Sequence, residues 1–152
     1  MILVDANPLV YLYASSVPQH KVASAWLDEK INGPARLGLP WPSLSGFVRL
    51  VSNSRIFERP KSVAAAWKQV EDWLDCPPVW IPQPTEPHLE ILGSLLKSQG
   101  GRANLVPDAH LAAVAIEHGL SYAPPTGILP AFLDCAGKIR WPMISFPTAD
   151  IP

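Results

Sequence analysis

Two carboxylates, Asp5 and Asp108, stand where the sequence changes from one kind of element to another. Asp5 directly follows Ile2-Leu3-Val4, a short continuous apolar run that suits a strand buried on both faces. Asp108 opens an apolar helical pattern that reaches His118, and Leu120 to Ala123 then reads as a strand. Open α/β sheets place their ligands at the carboxyl ends of the strands. The start of a helix that leads into a parallel strand lies at that same edge, so the two acids are expected together. Carboxylates that converge without a neutralising cation repel each other, and a hard divalent ion between them removes the conflict. Mg²⁺, or Mn²⁺ in its place, would then activate a water and stabilise a phosphoryl transition state, the chemistry of a metal-dependent nuclease. Each acid also has a plain structural use, Asp108 as a helix N-cap and Asp5 as the end of a strand. Asn7 is read as the cap of a helix with Pro8 at its first position, where the missing N–H costs little.

The elements that must hold these acids alternate along the chain. His20 to Ile31 reads as a helix with Val22, Ala25, Trp26 and Glu29 on one face, stopped by Asn32-Gly33-Pro34. Arg36 to Leu39 is a second strand, Pro40 to Ser43 a turn, and Leu44 to Val51 a helix. Val63 to Leu74 carries the clearest helical period, through Val63, Ala66, Trp67, Val70, Trp73 and Leu74. Val79 to Ile81 is a third strand and Thr85 to Ser98 a helix. Strands alternating with helices predict a parallel sheet covered by helices.

Length and composition narrow the function. A chain of 152 residues fits one domain with an adequate core. Twelve basic against thirteen acidic residues exclude a strongly basic nucleic-acid-binding face announced by net charge, leaving local patches. Cys76 and Cys135 lack metal or disulfide spacing and read as free thiols of a cytoplasmic protein. No apolar run approaches the roughly 20 residues that a membrane helix needs, and the amino terminus reads as a strand rather than a signal peptide.

Three stretches carry a family resemblance. Val4 to Tyr11 resembles the D-x-N-x-L-[VI]-Y opening of PIN-domain proteins. Leu39-Pro40-Trp41-Pro42-Ser43 through Phe47-Val48-Arg49-Leu50, with Asn53-Ser54-Arg55-Ile56-Phe57, resembles a stretch of one subgroup of VapC toxins. So does Asn104 to Ala113 with Glu117-His118-Gly119. The resemblance implies a three-layer α/β/α sandwich with a central, mostly parallel sheet of four to five strands. It implies a Mg²⁺-dependent endoribonuclease, the toxin of a type II toxin–antitoxin pair, restrained by a VapB-type antitoxin and assembled as a homodimer. On matching positions, Asp5 and Asp108 are the metal-binding acids and Asn7 supports the first. Arg49 matches a subgroup position and reads as a surface arginine rather than a catalytic one.

Two departures stand against the resemblance. Gly46 occupies the position where PIN domains commonly carry a glutamate. After Ala123 the family continues T-D-x-D-F-A-R-F, whereas this chain reads Pro124-Pro125-Thr126-Gly127-Ile128-Leu129-Pro130-Ala131-Phe132, with no carboxylate before Asp134. Reverse translation of Pro125 to Arg140, read from the third base of each codon, permits Thr-Asp-Arg-Asp-Phe-Ala-Arg-Phe-Pro-Gly-Leu-Arg-Trp-Glu-Asn-Pro-Leu. Residues 124–152 are therefore expected to be an out-of-frame tail on a single domain. These departures define the alternative, a catalytically impaired PIN domain that binds its antitoxin without cutting RNA.

The remaining candidates are weaker. His110 and His118 share a helix, and His20 and His88 stand isolated in sequence. Trp26, Trp67 and Trp73 fall on apolar helical faces and read as core or interface. Arg36, Arg49, Arg55 and Arg59 are a possible phosphate-binding rim.

Overall fold

The computed structural model describes residues 1–98 and 103–123. β1 (Ile2–Val4), β2 (Leu37–Gly38), β3 (Val79–Trp80) and β4 (Ser121–Ala123) form one sheet in the order β3-β2-β1-β4. Every pairing is parallel, with Leu3 opposite Gly38 on one side and Tyr122 on the other. The helices are α1 (Ala6–Tyr13), α2 (His20–Ile31), α3 (Trp41–Val51), α4 (Val63–Leu74), α5 (His88–Ser98) and α6 (Val106–Glu117), with a 3₁₀ turn at Ala103–Leu105. Four parallel strands among the described residues agree with the expected α/β class.

The strand period of two creates the three layers. Successive side chains of β1 point to opposite faces. Val4 joins Leu37 and Leu39 against Leu9, Val10, Leu44, Phe47, Val51, Ala66 and Val70 from α1, α3 and α4. Leu3 faces the other way, onto Leu111, Val114 and Ala115 of α6 and onto Leu120. The first of these cores is the larger. Phe47 is fully buried at its centre, edge-on to Tyr13 at 5.4 Å and tilted against Trp73 at 4.7 Å. Emptying such a position by truncation to alanine costs about 3–5 kcal/mol.

Several boundaries and faces differ from the sequence expectation for local reasons. α1 begins at Ala6 and is capped by Asp5, whose Oδ1 accepts from the Ala6 N–H at 2.6 Å; Asn7 lies inside the first turn instead of capping it. α3 begins at Trp41, because Pro40 and Pro42 are both tolerated at a helix start. α6 begins at Val106, so Asp108 lies in its first turn rather than at the cap. α5 begins at His88, Thr85 to Pro87 being a turn. α2 buries Ala23 and packs Trp26, Leu27 and Ile31 on the core, leaving Val22, Ala25 and Glu29 exposed. On α4, Val63 and Trp67 are exposed, and Trp67 stacks parallel on Trp41 at 6.4 Å. Trp73 is a core residue as expected. Gly119 ends α6 with φ at 61°, a conformation that other residues resist. The proline-rich tail, Cys135 and Asp134 lie outside the described residues.

Candidate metal centre at the carboxyl edge

The order of the strands assembles the site. β1 and β4 are adjacent and parallel, and α6 runs back along the sheet into β4. The carboxyl end of β1, bearing Asp5, and the amino end of α6, bearing Asp108, therefore share one edge, as the sequence predicts. Asp5 is only 8 % exposed. Burial pushes its carboxyl up to about 6 from 3.8, the Ala6 N–H opposes the rise, and the nearby Asp108 charge adds to it. Burial also raises Asp108. Among the described residues neither acid has an ion pair with a lysine, arginine or histidine. Two partly desolvated carboxylates that feel each other, with no ion-paired cation among the described residues, concentrate negative charge at this edge.

Tyr11 is a neighbour that the sequence reading did not single out. Its hydroxyl is raised by its own burial and then by the charge of Asp5. Asn7 is half-buried two residues beyond Asp5, and its side chain makes no hydrogen bond among the described residues. Gly46 has a clear packing reason. A Cβ at Gly46 would lie 2.9 Å from the Cβ of Ala6, the residue after Asp5. α3 and α1 approach too closely there for any side chain, so the glutamate expected at this position has no room.

The chemistry of the donors fits a hard divalent cation. Both groups are anionic oxygen donors, and Mg²⁺ commonly binds through one or two carboxylates while keeping several waters. No cluster of three or more acidic, histidine or cysteine ligands occurs among the described residues. Among the described residues, Asp5 and Asp108 are the two carboxylates at this edge that a cation could use.

Sequence reasoning missed a second polar centre on the outer side of α6. His88, isolated in sequence, bridges Glu117 and His110. Its Nδ1–H donates to Glu117 Oε1, and its Nε2 lies 3.1 Å from His110 Nδ1. Glu117 Oε2 also accepts from the Thr85 N–H at 2.6 Å and from the Thr85 hydroxyl at 2.7 Å. These bonds hold Glu117 below its ordinary value against the effect of burial. His118 Nε2 donates to the Gln83 carbonyl at 2.7 Å. The i, i+7 spacing of His110 and Glu117, which places them on one helix face, was the available signal. Of the arginines considered for a phosphate-binding rim, Arg36 lies over the Trp80 ring at 5.4 Å, and Arg49, Arg55 and Arg59 are exposed.

The PIN domain family matches residues 2–123. Ribonuclease VapC37 of Mycobacterium tuberculosis (strain ATCC 25618 / H37Rv) is 44% identical over 121 residues, covering 80% of this chain and 84% of that protein. The chain belongs to the PIN-domain family, within its VapC ribonucleases. Ribonuclease VapC33 of the same strain is 37% identical over 118 residues, covering 78% of this chain and 82% of that one. A chain from the structure of FitAB bound to an IR36 DNA fragment shares the fold, with a TM-score of 0.55 at 19% identity over 90% of this chain and 87% of that one.

Proposed function

We propose that this VapC-type PIN domain is the toxin of a type II toxin–antitoxin pair and cuts RNA phosphodiester bonds with Mg²⁺ held by Asp5 and Asp108. Mn²⁺ serves the same donors. The observation that carries the reading is the buried Asp5 carboxyl, raised to about 6 beside Asp108, with no ion-paired cation among the described residues. When bound, the ion supplies a nucleophilic water at neutral pH and charge stabilisation for the phosphoryl group. The chain contributes the rest. The Ala6 N–H orients Asp5, the first turn of α6 presents Asp108, and the Ala6–Gly46 contact fixes α3 against the start of α1. Asn7, in the first turn of α1 and with no hydrogen bond of its own among the described residues, is the proposed support of the first acid.

The decisive experiment is cleavage of a mixed RNA pool by purified protein with Mg²⁺, with EDTA, and as Asp5→Asn. Mg²⁺-dependent cleavage that Asp5→Asn abolishes is expected. Cleavage indifferent to both changes contradicts the metal centre. The impaired alternative is met if antitoxin binds while no condition yields cleavage.

VapC membership also supports a VapB-type antitoxin as partner, read by growth arrest on expression and its relief on co-expression. The exposed stack of Trp41 on Trp67 beside exposed Val63 supports a homodimer, read by sedimentation of wild type against Trp67→Ser. A cytoplasmic location agrees with these partners. No helix among the described residues is long and apolar enough to cross a membrane. The family match ends at Ala123, which supports residues 124–152 as an out-of-frame tail. The gene sequence tests this: codons unable to encode T-D-x-D-F in the shifted frame would overturn it.

A further inference from the structure

A second feature on the α1–α3 side of the molecule is a pocket of about 210 Å³ walled by Tyr13, Ser15, Ser16, Phe57, Arg59 and Lys61. Its walls are set by the backbone. α1 ends at Tyr13, and the N–H of Ala14 closes its last turn on the Val10 carbonyl at 2.9 Å. Across from it, the chain leaving α3 folds back. Phe57 N–H donates to the Asn53 carbonyl at 3.1 Å, and Lys61 N–H donates to the Val51 carbonyl at 2.9 Å. Pro60 restricts the backbone between Arg59 and Lys61. Tyr13 is braced edge-on by the buried Phe47.

The pocket's chemistry is one-sided. Two cations and two serine hydroxyls line it, and no acid does. Among the described residues Arg59 and Lys61 make no ion pair. Two cations kept together without a counter-charge, beside hydroxyl donors, match a phosphate. The pocket is also tied to the acid edge. α1 starts beside Asp5 and ends at Tyr13, so its eight residues separate the two by about 12 Å at 1.5 Å per residue. One short stretch of single-stranded RNA spans that distance.

We propose that this pocket is a phosphate subsite for the RNA strand, in which Arg59, Lys61 and the Ser15 and Ser16 hydroxyls grip a backbone phosphate some nucleotides from the one that is cut. This deepens the ribonuclease reading and rests on it for the identity of the ligand. The subsite positions the strand and reads no base, as phosphate contacts generally do.

The test is fluorescence anisotropy of a short fluorescein-labelled 2′-O-methyl oligonucleotide on the full chain in EDTA, so that binding is read apart from cleavage. The double variant Arg59→Gln/Lys61→Gln should bind about tenfold or more weakly. Its log–log salt dependence should be shallower by about 0.7, the contribution of one neutralised phosphate on a single strand. Arg59→Lys/Lys61→Arg, which keeps both charges, should retain most of the affinity. Lys97→Gln, at an exposed site on α5, should leave affinity and slope unchanged. On cleavable RNA with Mg²⁺, the double glutamine variant should raise KM and leave kcat within about twofold. Wild-type affinity and slope in the double variant would overturn the proposal. So would an equal loss in Lys97→Gln, absence of oligonucleotide binding by wild type, or loss of antitoxin association alone, which would make the pocket a docking point for an acidic protein segment. If anisotropy behaves as expected while no metal-dependent cleavage is found, the phosphate subsite stands and the nuclease reading falls.

Discussion

Asp5 and Glu117 are both carboxylates held within the fold, and the protein treats them oppositely. Glu117 is supplied with everything a carboxylate needs. Thr85 gives it an N–H and a hydroxyl, His88 gives it a third donor, and its carboxyl is held below the ordinary range. Asp5 receives one N–H, from Ala6, and faces a second acid; its carboxyl is pushed up to about 6. A satisfied carboxylate ties elements together, here the β3–α5 connection and α5 to the end of α6. An unsatisfied one costs stability and is explained by something that is added later. The contrast is the physical ground for proposing Asp5 as the functional acid and Glu117 as a structural one.

The largest effect expected from this contrast is on activity. Asp5→Asn and Asp108→Asn should each lower Mg²⁺-dependent cleavage by about a hundredfold or more, a loss of roughly 3 kcal/mol of transition-state stabilisation. Glu117→Gln should leave kcat within a few fold in a single-turnover assay. A Glu117→Gln loss as large as that of Asp5→Asn would erase the distinction.

Stability should move the other way. Asp5 has a folded value of about 6 against 3.8, so the folded state holds its proton more tightly than the unfolded chain does. Stability from this group is fully present below about pH 4 and is lost as pH rises to about 6, after which the deficit is constant. That deficit is about 2–3 kcal/mol, at 1.36 kcal/mol per unit. Asn retains an oxygen acceptor for Ala6 N–H and carries no charge. In metal-free buffer at pH 7, Asp5→Asn should therefore be more stable than wild type by about 2 kcal/mol in urea denaturation, and the gap should close toward pH 4. Glu117 has the opposite sign. Its carboxyl lies below 4.5 in the fold, so its contribution is present above that value and is lost as pH falls through the depressed one. Glu117→Gln should destabilise at pH 7 by about 1–3 kcal/mol, the range for leaving buried partners poorly satisfied.

Much of this was legible in the sequence, and for identifiable reasons. Ile2-Leu3-Val4 is apolar on both faces because β1 is sandwiched between α6 and the α1–α4 layer. Asp5 and Asp108 were readable as neighbours because parallel topology brings a strand end and the start of α6 to one edge. Local capping was less legible. Asn7 and Asp5 are both good caps, and the geometry of the strand end selected Asp5. The Thr85–His88–Glu117 network was hidden because its members come from separate elements, and only the packing of α5 on α6 unites them. The face of α2 was misassigned because that helix is amphipathic only weakly, with a single fully buried residue, Ala23. The meaning of Gly46 was also out of reach of the sequence. A missing acid and a tight helix contact look alike until it is seen that a Cβ at Gly46 would lie only 2.9 Å from the Cβ of Ala6.

That contact gives a smaller test. Gly46→Ala should destabilise by about 1–3 kcal/mol in urea denaturation, the usual cost of overpacking. Gly46→Glu should destabilise at least as much and should not raise cleavage above wild type. A stable, faster Gly46→Glu enzyme would show that α1 and α3 can separate and that the site is short of an acid rather than complete with two.

The most direct measurement of the central claim, that the Asp5–Asp108 edge is built for a cation it does not supply, is a Mg²⁺ titration followed by thermal melting of wild type and Asp5→Asn. Asp5→Asn should melt higher than wild type without metal; Mg²⁺ should raise the wild-type midpoint in a saturable way and leave that of the variant unmoved. A variant that melts below wild type without metal, and gains as much as wild type from Mg²⁺, would contradict it.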